Sequence, residues 1–127
     1  MAQTHSPGYL RLVEDAKQRV RRFTIEEFLE RLKSGERYIM LDVREDSEWA
    51  RGHLPGAHHL SRGILEREIE RTIPDKDAAI LLYCCCGYRS ALSADNLMKM
   101  GYLNVTSLDG GWRGWNERGL PTVTPEL

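Results

Sequence analysis

The chain has 127 residues, 41% of them hydrophobic and 29% charged, with a formal net charge of −1. That is the length of one domain with an ordinary globular composition, able to bury a core without a disulfide or a metal. Near-neutral charge excludes a binder of nucleic acid or anionic membrane driven by basic residues, and no apolar run approaches the roughly 20 residues of a membrane span.

The first stretch, MAQTHSPGYLRLVEDAKQRV, is charged throughout and lacks the apolar core of a signal peptide. A cytoplasmic location is therefore expected, where a reducing pool keeps the three cysteines as thiols. Within this stretch Tyr9, Leu12, Val13, Ala16 and Val20 recur at helical spacing, and Ser6-Pro7-Gly8 sits where a helix starts. Residues 1–20 are expected as a helical extension packed on a domain of residues 21–123, with Tyr9 and Leu12 equally able to meet another subunit. Arg21 to Phe23 can form a short strand. Thr24 and Glu27 then make a T-x-x-E capping box, followed by a helix that buries Ile25, Phe28, Leu29 and Leu32 and stops at Gly35.

YIMLDVRE is a near-continuous apolar run, expected as a strand covered on both faces. EDSEWARG reads as a short helix closed by Gly52, and AHHL as a short strand. SRGILEREIERTI reads as a helix with Ile64, Leu65, Glu68 and Ile69 on one face and solvated charges on the other. AAILLY is a second buried strand that runs directly into YCCCGYRS. SALSADNLMKMG follows as a helix with Ala91, Ala94, Leu97 and Met98 inward and Gly101 as its stop. NVTSL is a last strand, and DGGWRGWNERGLP holds a turn and a short helix. Strands and helices alternate about five times, which predicts an α/β fold, a parallel sheet with helices on both faces.

All three cysteines, Cys84, Cys85 and Cys86, stand together between a buried strand and a helix. Open α/β sheets bind ligands at that edge. A helix starting near Arg89-Ser90 would turn its free N–H groups and dipole toward the loop, stabilising an anion such as a thiolate. Arg89 adds a cation able to fork onto an oxyanion, and Gly87 permits the tight turn that points several N–H groups inward. Cys84 follows the strand directly and has the whole loop to curl round it, so it is the candidate nucleophile. The plainer alternative is that the three are small buried apolar residues. Zinc sites pair ligands as C-x2-4-C with a second pair elsewhere, and His5, His53, His58 and His59 supply none, so no metal is expected. Adjacent cysteines bridge only through a strained, easily reduced ring.

LDVREDSEWARGHLPGAHHLSRG, YCCCGYRSALSADNLMKMGY and LDGGWRGW, in that order, resemble the three signatures of the rhodanese family of sulfurtransferases, specifically its small single-domain members. The resemblance runs from about Phe23 to Pro121. It implies a five-stranded parallel sheet flanked by helices. It also implies a Cys84 that carries sulfur as a persulfide, with Cys85, Cys86, Gly87, Tyr88, Arg89 and Ser90 around the substrate. No cofactor is implied. The mechanism implied is ping-pong: Cys84 takes the sulfane sulfur of a small anionic donor such as thiosulfate and passes it to cyanide, a thiol or a partner protein. Arg89 would bind the donor or brace the loop through a carboxylate. Related phosphatases use a C-x5-R loop, whereas this one is C-x4-R, the sulfur-transfer length. Where some thiosulfate-using members carry basic residues, this chain has Cys85 and Cys86. Thiosulfate is then expected to be a poor donor, and the extra thiols can accept sulfur or bridge to Cys84.

Asp42 and Arg44 end the first long strand near the same edge, where pairing or capping outweighs substrate contact. His53 is more simply part of a turn than a general base. Arg62 can lie near the site mouth, and Trp49, Trp112 and Trp115 read as packing. A monomer or homodimer fits the chain. The rival functions are a phosphatase or arsenate reductase on the same scaffold, and a regulatory or sulfur-relay module without free turnover.

Overall fold

The computed structural model describes residues 5–125. Five strands form one parallel sheet: β1 (Arg21–Phe23), β2 (Ile39–Asp42), β3 (His58–His59), β4 (Ile80–Tyr83) and β5 (Val105–Leu108). Their spatial order is β1-β5-β4-β2-β3, so β4 lies in the middle. All four pairings are parallel, with Asp42 beside Tyr83 and Leu82 beside Ser107. Six helices cover the sheet: α1 (Pro7–Lys17), α2 (Ile25–Lys33), α3 (Asp46–Trp49), α4 (Arg62–Thr72), α5 (Tyr88–Lys99) and α6 (Gly111–Glu117).

The expected α/β fold is therefore the one observed. Each strand residue alternates between two cores. Ile80, Leu82 and Cys84 belong to one, with Leu65 and Ile69 of α4 and Ala94 and Leu97 of α5. Leu81 and Tyr83 belong to the other, with Ile25 and Phe28 of α2 and Trp115 of α6. The same alternation carries Cys84 to the α4/α5 side of the sheet.

Local signals set several ends. The Thr24 hydroxyl accepts from the Glu27 N–H at 3.1 Å while the Glu27 carboxylate accepts from the Thr24 N–H at 2.8 Å. Helix α1 lies on α5 through buried Val13 and Ala16, and Arg19 forks onto Asp95 of α5 at 3.0 and 2.7 Å. The first four residues of the expected extension lie outside the described residues.

Four positions expected on buried faces are exposed: Leu12, Leu32, Ile64 and Met98, Leu12 to 61%. Each lies on the flank of an apolar stripe whose centre is fully covered. Periodicity finds the stripe, while its buried width depends on the partner helix or sheet. No helix among the described residues is long and apolar enough to cross a membrane.

Candidate active site

Chain entering the Cys84 loop comes straight off β4, the central strand, and leaves it through α5. Helix α5 starts at Tyr88, slightly earlier than Arg89-Ser90, so the loop proper is four residues long. Gly87 caps the helix with φ +97°, a left-handed conformation that other side chains rarely adopt. That turn brings the Gly87 N–H to 3.1 Å and the Ser90 N–H to 3.4 Å from Cys84 Sγ. Cys84 is 1% exposed. Its sulfur thus sits at the positive end of a twelve-residue helix, receiving two backbone donors.

The loop's carbonyls face the opposite way, and α6 receives them. The Trp112 N–H donates to the Cys84 carbonyl at 2.8 Å and the Arg113 N–H to the Cys85 carbonyl at 3.0 Å. Gly111 makes this approach possible. It has φ +48°, and a Cβ there would stand 2.8 Å from the Cys85 carbonyl oxygen and closer still to that of Cys84. Of the three glycines in the LDGGWRGW stretch, Gly111 therefore serves the Cys84 loop, whereas Gly110 and Gly114 face Ile25 of α2.

Above Cys84 lies an open cavity of about 430 Å³. Cys84, Cys85, Cys86, Tyr88 and Arg89 line it from the loop and α5, Glu48 from α3, and His5 and Tyr9 from the N-terminal segment. Gly87 and Ser90, also expected around the substrate, stand behind the sulfur. The Ser90 hydroxyl is buried, 3.6 Å from Cys84 Sγ and 2.8 Å from the Ser107 hydroxyl of β5.

Arg89 was expected either to bind the donor or to brace the loop through a carboxylate. Its guanidinium forks onto the Glu48 carboxylate, Nη1 to Oε1 at 2.8 Å and Nη2 to Oε2 at 3.0 Å. Glu48 Oε1 also accepts from the Glu45 N–H at 3.0 Å, which fixes the carboxylate to the start of α3. The hydrogen bonds from Arg89 hold Glu48 below the usual carboxylate range, and those to Glu48 raise Arg89 further. Glu48 was not foreseen as a site residue. Its sequence traces were the short EDSEWARG helix and the alternative that Arg89 braces the loop through a carboxylate.

His5, Tyr9 and Tyr88 form an aromatic cluster on the other side of the cavity. Ring centroids are 5.4 Å apart for His5–Tyr9, 5.0 Å for His5–Tyr88 and 6.2 Å for Tyr9–Tyr88. Lys17 Nζ lies 4.9 Å from the Tyr88 ring. Burial, then the neighbouring Cys84, raises the Tyr9 hydroxyl above its ordinary range, while Arg89 and Arg62 pull the other way. Arg62, expected near the site mouth, does not line the cavity.

Other candidates are structural. Arg44 forks onto Asp42 at 2.6 to 3.0 Å, donates to the Gly52 carbonyl at 2.7 Å and lies 4.5 Å from the Trp112 ring. Both charges are buried and paired. They tie the end of β2 to α6 and do not line the cavity over Cys84. His53 stacks on Trp49 with ring centroids 3.5 Å apart, and its Nδ1 meets the Leu54 carbonyl at 2.9 Å. No cluster of three or more metal-ligating side chains occurs among the described residues.

A family model for the rhodanese-like domain matches residues 24–118. The chain belongs to the rhodanese family. A sulfurtransferase of Allochromatium vinosum is 34% identical over 101 residues, covering 80% of this chain and 92% of that protein. A solved structure from Rhodopseudomonas palustris, of unknown function and described as a possible tyrosine phosphatase, matches with a TM-score of 0.83 at 29% identity. That match covers 97% of this chain and 99% of the other, so it takes in α1 as well as the domain. A thiosulfate sulfurtransferase from Pseudomonas aeruginosa matches with a TM-score of 0.72 at 30% identity, covering 83% of this chain and 20% of that one.

Proposed function

We propose that this rhodanese-family protein transfers sulfane sulfur through a persulfide on Cys84. Family membership and the Allochromatium relative support sulfur transfer in general. The observation that carries the finer reading is the Cys84 sulfur at the focus of the Gly87 and Ser90 N–H groups. The thiolate attacks the sulfane sulfur of a donor, the donor's S–S bond breaks, and the remainder leaves with the electron pair, as sulfite when thiosulfate is the donor. The outer sulfur then stands in the cavity, where an acceptor such as cyanide or a thiol attacks it and returns Cys84 to its cradle as a thiolate.

Glu48 occupies the Arg89 fork, which supports a bracing role for Arg89 and leaves the α5 N–H groups as the main partners of an anion. On that basis thiosulfate loads the enzyme more slowly than less charged sulfane donors such as organic persulfides. The C-x4-R loop supports sulfur over phosphate.

Intact mass tests this. The Cys85→Ser/Cys86→Ser chain, whose only thiol is Cys84, should gain about 32 Da with thiosulfate or polysulfide, and adding Cys84→Ser should remove the gain and lower sulfur transfer by at least ~10³-fold. Hydrolysis of an aryl phosphate that depends on Cys84, without any mass gain on loading, would instead establish the phosphatase reading suggested for the Rhodopseudomonas protein.

A further inference from the structure

Two thiols at the site have no part in the chemistry so far. Cys85 and Cys86 are both partly exposed and both line the cavity into which the outer sulfur on Cys84 would project. Their sulfurs are in contact: Cys86 Sγ lies 3.4 Å from Cys85 Sγ and donates to it. No other partner is found for either sulfur among the described residues. Burial, then the bond to Cys85, pushes the Cys86 thiol up to about 11. Cys86 therefore holds its proton at neutral pH, while Cys85 is the sulfur that receives a hydrogen bond. The pair is ordered: Cys85 is set to attack first, and Cys86 stands by with a proton and a second sulfur.

We infer that Cys85 and Cys86 form an internal reductant that releases the Cys84-bound sulfur as hydrogen sulfide, so that the protein is a sulfane-sulfur reductase as well as a transferase. This inference rests on the Cys84 persulfide proposed above. In the first step the Cys85 sulfur attacks the outer sulfur of Cys84–S–S⁻. The Cys84 S–S bond breaks, Cys84 leaves as the thiolate its cradle stabilises, and the Cys85 proton passes to the transferred sulfur, giving Cys85–S–SH. In the second step the Cys86 sulfur attacks the inner sulfur of that persulfide. The outgoing HS⁻ takes the Cys86 proton and leaves as hydrogen sulfide, and a Cys85–Cys86 disulfide remains. The sulfane sulfur gains two electrons, one from each thiol. A disulfide between neighbours in sequence closes a strained ring, and strain keeps such a bond readily reduced. An external dithiol resets the pair.

The geometry favours this pair over a bridge to Cys84. The Cys84 sulfur is buried and engaged by two N–H groups, whereas Cys85 and Cys86 already touch. The bridge to Cys84 expected from adjacency alone thus gives way to one between its two neighbours.

The experiment gives wild type, Cys86→Ser and Cys85→Ser/Cys86→Ser one equivalent of thiosulfate per chain and adds no thiol. Sulfide is counted per persulfide formed, so slower loading of a variant does not enter. Wild type should release about one sulfide per chain and end about 2 Da lighter, while both variants keep about 32 Da and release less than a tenth as much. Alkylation followed by peptide fragmentation should find Cys84 as the free thiol. Wild type that holds its extra 32 Da without releasing sulfide overturns the inference and leaves the Cys84 persulfide standing. So does release by Cys86→Ser at the wild-type rate, or a disulfide that includes Cys84. If no chain ever gains mass or releases sulfide, it is the persulfide reading that fails.

Discussion

The cavity over Cys84 has two walls made in different ways. One is the Cys84–Gly87 loop, held almost wholly by backbone. The Gly87 N–H, with the Ser90 N–H from the first turn of α5, points to the sulfur, the Cys84 and Cys85 carbonyls point to α6, and a bidentate ion pair pins the Arg89 that follows. The other wall is the N-terminal segment, held by side chains: two small apolar contacts on α5, an ion pair to Asp95, and rings leaning on Tyr88. A backbone wall is all-or-none, because one extra carbon displaces several hydrogen bonds together. A side-chain wall is graded, because rings and methyl groups yield a little at a time. The two should therefore respond to substitution on different scales.

Gly111→Ala should strike hardest. A Cβ at Gly111 runs into the Cys84 and Cys85 carbonyls, at a φ of +48° that alanine disfavours. The loop must shift away from α6, and the N–H groups move off the sulfur. A misplacement of this size costs ~100-fold or more in rate, with ~1–3 kcal/mol of stability lost to the clash and strained backbone. Sulfur-transfer kinetics with a thermal melt on the same sample reads both. If Gly111→Ala kept near wild-type transfer, the backbone wall would be softer than its hydrogen bonds indicate.

Glu48→Gln tests the ion pair that pins the same wall, and its effect should be smaller. The glutamine keeps a hydrogen bond to Arg89 but loses the charge, so roughly a tenfold loss of transfer is expected, short of the ~100-fold of a displaced loop. The pH dependence follows from the lowered value of Glu48. A carboxyl depressed in the folded state contributes stability that is present above its unfolded value of ~4.3 and is lost as pH falls through its folded value. Wild type should therefore exceed Glu48→Gln in stability by up to ~1 kcal/mol at neutral pH, the pair being partly solvated, and the two should converge as pH falls from the unfolded value of ~4.3 through the lower folded one. Urea titrations at several pH values check this. A gap that persists in acid would show that packing, rather than charge, distinguishes the two.

The two walls also differed in how far the sequence revealed them. The loop was legible because its signals are local: a buried run ending at Tyr83, a glycine at 87, and a helix close behind. Even the direction of Cys84 follows from the alternation of Ile80 and Leu82. The T-x-x-E box at Thr24 and the α/β alternation were legible for the same reason. What escaped depends on contacts between distant residues. Glu48 meets Arg89 across 41 positions. Gly111 reaches back to the Cys84 carbonyl, and Ser107 meets Ser90 from another strand. Tyr9 showed helical spacing, which says that one face is covered but not that its edge overlooks Cys84. The same gap put Leu12 and Met98 on buried faces when they are exposed.

Tyr9→Ala is the mildest change and the one that separates the walls. It removes a ring that packs on His5 and Tyr88 and forms part of the cavity lining, yet it touches no backbone group of the loop. Aromatic pairs of this kind are worth ~0.5–1.5 kcal/mol each, so melting should fall modestly. Loss of a contact worth about 1 kcal/mol should raise KM for a bulky thiol acceptor by about fivefold. Cyanide is too small to span the cavity and should be affected about twofold or less by the same scale. Tyr9→Phe keeps the ring and should stay close to wild type with both acceptors, which separates packing from the hydroxyl. If Tyr9→Ala instead slowed both acceptors as severely as Gly111→Ala, α1 would be holding Cys84 itself in place. The division between a backbone wall and a side-chain wall would then fail.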